Sequence, residues 1–189
     1  PTGRMPVPLF IHTLRLWISD LFGIRGLGFC ACAALACVIF LPTVRAADHA
    51  QWGQAFTRNM VSAETGLVDS FDPATGRNVK WIVPLGSQSW ATPVVARGRV
   101  FIGTNNDPPR DPRHKGDRGV LLCLDEKDGR LLWQLVAPKL GTDVFLDWTR
   151  AGMCSPPTVE GNRVYMITNR GEAVCLDIEG QANGNDGPY

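Results

Sequence analysis

The chain has 189 residues, of which 20% are charged and 44% are hydrophobic, a composition that supports a folded domain and excludes disorder throughout. The formal net charge of +1 hides an uneven distribution. Residues 1–46 carry four Arg and one Asp, whereas residues 47–189 carry 15 Lys and Arg against 17 Asp and Glu. The larger part is therefore slightly acidic, and we expect no nucleic acid partner.

An apolar segment dominates the first part of the chain. Leu27–Leu41 is free of charge, basic residues precede it, and Val44 and Ala46 follow in the small-residue pattern that signal peptidase recognises. The segment predicts a signal helix and a cleaved signal peptide over residues 1–46, and hence a periplasmic or extracellular location. A membrane anchor is the alternative, although the apolar run is shorter than the roughly 20 residues that cross a bilayer.

Cleavage would leave three cysteines, Cys123, Cys154 and Cys175. Their spacing contains no CxxC redox motif, no haem attachment motif and no paired zinc ligands, so the cysteines predict no metal site. Cys123 and Cys175 occupy matching places in two similar segments. This match favours small buried residues in strands.

The two similar segments agree in detail. GRVFIGTNN at 98–106 is followed by NRVYMITNR at 162–170, so that Arg99 matches Arg163 and Asn105 matches Asn169 at one constant offset. RGVLLCLD at 118–125 is followed by RGEAVCLD at 170–177, where Cys123 matches Cys175 at a shorter offset. The change of offset corresponds to an insertion from Asn106 to Asp117 in the first copy.

Each copy predicts short strands separated by turns. In the first copy, runs of β-branched and aromatic residues predict strands over Trp90–Ala96, Arg99–Thr104, Gly119–Asp125 and Arg130–Val136. No amphipathic helical pattern follows the leader. Four antiparallel strands repeated at roughly 40 to 50 residues are typical of a β-propeller blade, which buries its faces against neighbouring copies.

The turns after the predicted third strands resemble the repeat of pyrroloquinoline-quinone (PQQ) propellers, in which an Asp, a Gly and a Trp recur at fixed spacing. The stretches that carry the resemblance are SFDPATGRNVKW at 70–81 and CLDEKDGRLLW at 123–133. The matching residues are Asp72, Gly76 and Trp81 in the first stretch, Asp125, Gly129 and Trp133 in the second, and Asp177 in a third copy. In the third copy the Gly comes one place early and no Trp follows.

The resemblance implies an all-β fold after the signal helix, a partial β-propeller of about two to three four-stranded blades where the family usually has about eight. It divides the remaining chain into a lead-in segment with the first partial repeat, 47–78, and incomplete blades, 79–189. Too few blades for closure indicate either a fragment of a longer protein or assembly with other chains. In this family the Trp of the repeat docks between neighbouring blades, so the resemblance implies that Trp81 and Trp133 are structural.

Two functions are compatible with the resemblance. The first is a non-catalytic binding or scaffolding module, like the propeller lipoprotein of the outer-membrane β-barrel assembly machinery. The second is part of a quinoprotein dehydrogenase, which would hold PQQ and calcium and oxidise an alcohol or a sugar. We favour the first because a fold does not define a function. The expected partner is a protein or a small-molecule ligand, with the membrane involved only through export or an anchor.

No catalytic or cofactor-binding residue can be assigned from the sequence, but three segments could carry a site. The insertion Asn106–Asp117 contains His114, although one imidazole is a poor transition-metal set and predicts a solvated loop. NGNDG at 183–187 is rich in oxygen ligands but lacks the carboxylates of a calcium loop, and predicts a plain turn. Trp148 and Arg150 precede a predicted strand at one rim, where propellers often bind ligands. Packing is the default role of such residues, and this pair is our candidate for a ligand-facing site.

Overall fold

Gly-containing turns divide the apolar runs into seven short strands. A computed structural model of the protein describes residues 47–141 and 147–180, and within those residues the regular elements are all β-strands. The predicted signal peptide and the NGNDG segment lie outside the described residues. The strands are β1 Val94–Ala96, β2 Arg99–Asn105, β3 Arg118–Asp125, β4 Leu131–Pro138, β5 Thr158–Glu160, β6 Arg163–Ile167 and β7 Ala173–Asp177.

The strands form two antiparallel sheets in chain order, β1-β2-β3-β4 and β5-β6-β7. Their registers agree with the repeat found in the sequence. Phe101 pairs with Cys123 in the first sheet, and Tyr165 pairs with Cys175 in the second. Each member of one pair is the sequence counterpart of a member of the other, so the two sheets are copies of one unit and the sequence alignment is confirmed.

The first strand is shorter than the sequence predicts. It begins at Val94 rather than at Trp90, and its last pair with β2 joins Val94 to Phe101. Pro93 has no N–H to continue the ladder, so the backbone leaves the sheet at this point. The indole of Trp90 is consequently 70% exposed and stands outside the strand.

Strand β3 is buried on both faces, as its continuous apolar sequence predicts. Leu121 and Cys123 point to one face and belong to a core shared with residues of the second sheet. Val120, Leu122 and Leu124 point to the other face and pack against residues 81–85 of the preceding repeat. Successive side chains of β3 therefore pack into two different cores, because they point to opposite faces of the sheet. Apolar and polar residues do not alternate along this strand, because neither face is exposed to solvent.

The lead-in segment bridges the first strands of both sheets. The Val95 N–H donates to the His49 carbonyl at 3.2 Å, and the Val159 N–H donates to the next carbonyl, Ala50, at 2.7 Å. Adjacent residues of one chain thus reach equivalent positions in the two sheets. Because neighbouring Cα atoms are only about 3.8 Å apart, β1 and β5 converge at this edge.

Candidate functional site

The Asp residues of the repeat organise their own turns. In each copy a carboxylate oxygen accepts the backbone N–H two residues later, at 2.9 Å for Asp72, 2.8 Å for Asp125 and 2.6 Å for Asp177. The Thr75 hydroxyl and the Ala74 N–H both donate to Asp72 and lower the pKa of its carboxyl. These are hydrogen bonds of a structural turn, as expected for Asp at this position.

The two Trp residues of the repeat each reach the following copy. The Trp81 indole N–H donates to the Glu126 carbonyl at 2.9 Å, and the Trp133 indole N–H donates to the Ile178 carbonyl at 3.0 Å. Each acceptor directly follows the Asp of the next repeat. Both contacts join residues with the same sequence separation, so one docking geometry occurs twice.

Glycine is required beneath each indole. A Cβ on Gly129 would lie 2.8 Å from the Trp81 ring, and a Cβ on Gly180 would lie 2.3 Å from the Trp133 ring. Gly180 therefore packs against the Trp133 indole in the third turn motif, although it comes one residue earlier than the Gly of the other two motifs. An ion pair between Arg99 and Glu179 adds to the junction of the two sheets.

The opposite end of the sheets carries a denser group of polar residues. There β2 ends at Thr104 and Asn105, both fully buried. The Asn105 side-chain amide donates to the Ser87 hydroxyl at 3.0 Å and to the Arg150 carbonyl at 2.7 Å. It thereby holds the segments that precede β1 and β5 against the end of β2.

A buried ion pair connects the two sheets at this end. The Lys139 ammonium bonds the carboxylate of Asp147, which also accepts from the Asn169 amide at 2.9 Å and the Leu140 N–H at 3.0 Å. Burial raises the pKa of Asp147, but hydrogen bonds from Lys139, Asn169 and Leu140 outweigh it, and the pKa lies below its usual value. Lys139 also lies 4.0 Å from Asp117. Both carboxylate oxygens of Asp147 therefore already have partners, and we assign these groups a structural role.

The insertion Asn106–Asp117 folds back on this end as a well-anchored loop. The Asn106 amide donates to the His114 carbonyl at 2.5 Å and to the Gly116 carbonyl at 3.2 Å. Arg110 donates to the Pro84 carbonyl, outside the loop. The side-chain hydrogen bond from Arg113 lowers the pKa of Asp111 to about 2. The loop is solvated at its tip but fixed at its base.

Trp148 and Arg150 lie on the segment that Asn105 holds. The Trp148 side chain is 66% exposed, and its carbonyl accepts from Lys139. The Arg150 N–H donates to Asp117 at 2.6 Å, while its guanidinium lies 3.6 Å from Asp107. The backbone carbonyls of both residues accept hydrogen bonds, and the guanidinium of Arg150 lies near Asp107 of the insertion.

A second exposed indole, which the sequence analysis placed in a strand, lies at the same end. Trp90 follows Gln88, whose carbonyl accepts from the Thr104 hydroxyl at 2.8 Å, and Ser89, whose hydroxyl donates to the Gly103 carbonyl at 2.8 Å. Trp90 therefore lies near the end of β2, and Trp148 lies two residues before Arg150, whose carbonyl accepts from Asn105 at the end of the same strand. Pro93 is the sequence signal that could have shown that Trp90 lies outside the strand, because proline is excluded from the interior of a strand.

The cysteines differ in their surroundings. Cys123 is fully buried, and burial raises the pKa of its thiol to about 12. Cys175, its counterpart in the repeat, is exposed on the outer face of the second sheet, so only one of the two is buried as the sequence suggests. Within the described ranges, 47–141 and 147–180, no group of three His, Cys, Asp or Glu side chains could hold a metal ion. The same residues contain no helix long and apolar enough to span a membrane.

Comparison with known proteins identifies the repeat. No curated protein matches the chain significantly in sequence. A family model described as outer membrane protein assembly factor BamB matches residues 64–182, which is more than half of the chain. The matched range begins before the first Asp–Gly–Trp motif and covers both sheets. The chain therefore belongs to this family of PQQ-type repeats.

Proposed function

We propose that the chain is part of an exported, non-catalytic β-propeller that serves as a scaffold for protein binding. The observation that carries this proposal is the end of the sheets where Trp90 and Trp148 stand exposed on fixed backbone. Large aromatic side chains held rigidly at a surface are typical binding hot spots, because little conformational entropy is lost when a partner covers them. The description of the matching family as an assembly factor agrees with this role.

The polar groups at this end support binding rather than catalysis. Asp147, the most buried carboxylate there, is occupied by Lys139, Asn169 and a backbone N–H. Asn105 is occupied by Ser87 and Arg150. Within residues 47–141 and 147–180, no three His, Cys, Asp or Glu side chains lie together as a metal site, whereas a calcium ion takes six to eight oxygen ligands. We therefore assign no step to PQQ.

The proposal includes further sheets of the same kind. Phe101 and Cys123 on the front face of the first sheet are covered by the second sheet. Their counterparts, Tyr165 and Cys175, line an open apolar depression on the second sheet. Since each sheet is a copy of the other, the depression has the pattern of a surface that receives another sheet of this type.

The test of the proposed function combines two measurements on the mature full-length protein. Incubation with PQQ and calcium followed by dialysis should leave no bound quinone, and alcohols or sugars should give no dye reduction. Alkylation of Cys175 should be as slow as that of Cys123, because a further sheet covers both. Retained quinone with dye reduction would refute the non-catalytic role, and rapid alkylation of Cys175 would refute the stacking.

A further inference from the structure

The end of the sheets that carries the two indoles has an excess of positive charge among its described residues, with seven Lys and Arg against five Asp and Glu. We call it the rim surface and define it by residues 84–90, 105–118, 139–141, 147–153 and 168–172. These segments lie together because β2, β4 and β6 end there and β3 and β7 begin there. The Asn169 amide ties the two sheets at this end by donating to the Pro138 carbonyl at 3.1 Å.

The acidic groups of the rim surface each have a basic partner within the chain, although Asp117 and Asp147 share Lys139. Each of its five carboxylates lies within 4.0 Å of a basic group. The pairs are Asp107 with Arg150, Asp111 with Arg113, Asp117 and Asp147 with Lys139, and Glu172 with Arg170. The carboxylates of this surface therefore repel an acidic ligand less than their number suggests.

Three basic residues of the same surface have no carboxylate partner among the described residues, namely Arg110, Lys115 and Arg118. Arg110 and Arg118 donate to carbonyl groups instead, those of Pro84 and Lys115. Burial lowers the pKa of the Arg110 guanidinium, because its lost hydration is not offset by a nearby negative charge. Arg110 and Lys115 lie on the insertion, which the second copy lacks, and Arg118 directly follows it.

We propose that the rim surface binds an acidic peptide segment of a partner protein, with Arg110, Lys115 and Arg118 receiving its carboxylates and Trp90 and Trp148 its apolar side chains. The inference rests on the proposed scaffold function and names the chemistry of its partner. Carboxylates that alternate with apolar residues match a surface that presents both cations and indoles. Polyphosphates fit less well, because they offer no apolar side chain for Trp90 and Trp148 to contact.

The opposite end of the sheets supplies the matched control. Its turns carry the acidic cluster Asp125, Glu126 and Asp128, and Lys127 stands exposed among them. A substitution at Lys127 removes the same unit of charge as one at Lys115. Lys115 lies on the rim surface with the two exposed indoles, whereas Lys127 lies at the opposite end of the sheets.

The experiment measures binding of a short fluorescent peptide, in which Glu and Tyr alternate, to the mature full-length protein by anisotropy. A peptide with Lys in place of Glu is the charge control. We expect saturable binding of the acidic peptide alone, weakened by salt. Trp148→Ala should weaken it about tenfold or more, as for an aromatic hot spot. Lys115→Gln should weaken it by about threefold to tenfold, while Lys127→Gln leaves it unchanged.

Three results would overturn the inference. These are equal binding of the two peptides, unchanged affinity of both Trp148→Ala and Lys115→Gln, or tighter binding of phosphatidylglycerol vesicles or single-stranded DNA than of the acidic peptide. Far-UV circular dichroism of each variant shows that it is folded. Failure of the proposed function is distinguishable, since it is recognised by retained quinone and dye reduction, whereas failure of this inference is recognised by the peptide alone.

Discussion

The docking of Trp133 against the second sheet makes a quantitative prediction about stability. Its ring lies 5.9 Å from that of Phe101 at an interplanar angle of 53°, packs on Gly180 and donates a hydrogen bond to Ile178. Replacing such a residue with Ala costs about 3–5 kcal/mol through lost packing and the cavity left behind. Trp133→Phe keeps most of the ring but leaves the Ile178 carbonyl unpaired in a buried position, which costs about 1–3 kcal/mol.

Thermal unfolding followed by far-UV circular dichroism measures both variants, and does not depend on the fluorescence of the residue replaced. At about 2–4 °C per kcal/mol for a chain of this size, Trp133→Ala should lower Tm by about 10 °C and Trp133→Phe by roughly half as much. Trp148→Ala is the control, because this exposed indole should contribute no more than about 0.5 kcal/mol. If Trp133→Ala unfolds at the wild-type temperature, or lowers Tm no more than Trp148→Ala does, the docking role assigned to the indole is wrong.

Three further predictions concern the charge pair, a thiol and a glycine. Because folding lowers the pKa of Asp147, its ionised form stabilises the fold at neutral pH, and this contribution fades as pH falls below about 4. Asp147→Asn should therefore lower the free energy of unfolding by about 3 kcal/mol at neutral pH. In urea unfolding repeated at several pH values, the variant should lose less stability than wild type as the pH falls below about 4. Equal losses in the two proteins would contradict the assignment. The Cys123 thiol, with its pKa raised to about 12, should react with iodoacetamide only in denaturant, and prompt labelling of the native chain would disprove its burial. Gly152→Ala should lose about 2 kcal/mol more than Gly161→Ala in urea titrations, because both have positive φ but only Gly152 lies against the Thr104 carbonyl; equal losses would argue against the close contact.

Most of the fold could be predicted from local pattern and repetition. The two constant offsets between the copies located β2, β3, β6 and β7, because strand pairing preserves the spacing of a repeated sequence. The predicted β1 was too long, because apolar composition alone does not show where a strand stops forming hydrogen bonds with its neighbour. The exposure of Cys175 was also not predictable, because burial depends on what covers the face of a sheet and not on the strand itself.

The candidate site was harder to predict from the sequence than the fold. Trp148 and Arg150 were proposed from their place before a strand and stay a prediction, whereas Trp90 was not singled out. Nothing in the spacing of Lys139, Asp147 and Asn169 suggests that they meet. The three residues come from the end of one strand, a linker and a turn of the next sheet. Contacts of this kind depend on how two sheets pack, and sequence separation carries no information about them.

The sequence by itself determined the repeated unit, the antiparallel strands, and the Asp, Gly and Trp of the two complete turn motifs, because periodicity and turn chemistry act over a few residues. Only the tertiary structure decided which indoles are docked and which are exposed, and which charges are neutralised. Trp133 and Trp148 are the same residue type in neighbouring parts of the chain, yet one bonds the Ile178 carbonyl and the other is 66% exposed. The difference arises from whether a neighbouring sheet lies beside the side chain, since burial and pairing are properties of packed surfaces rather than of single residues.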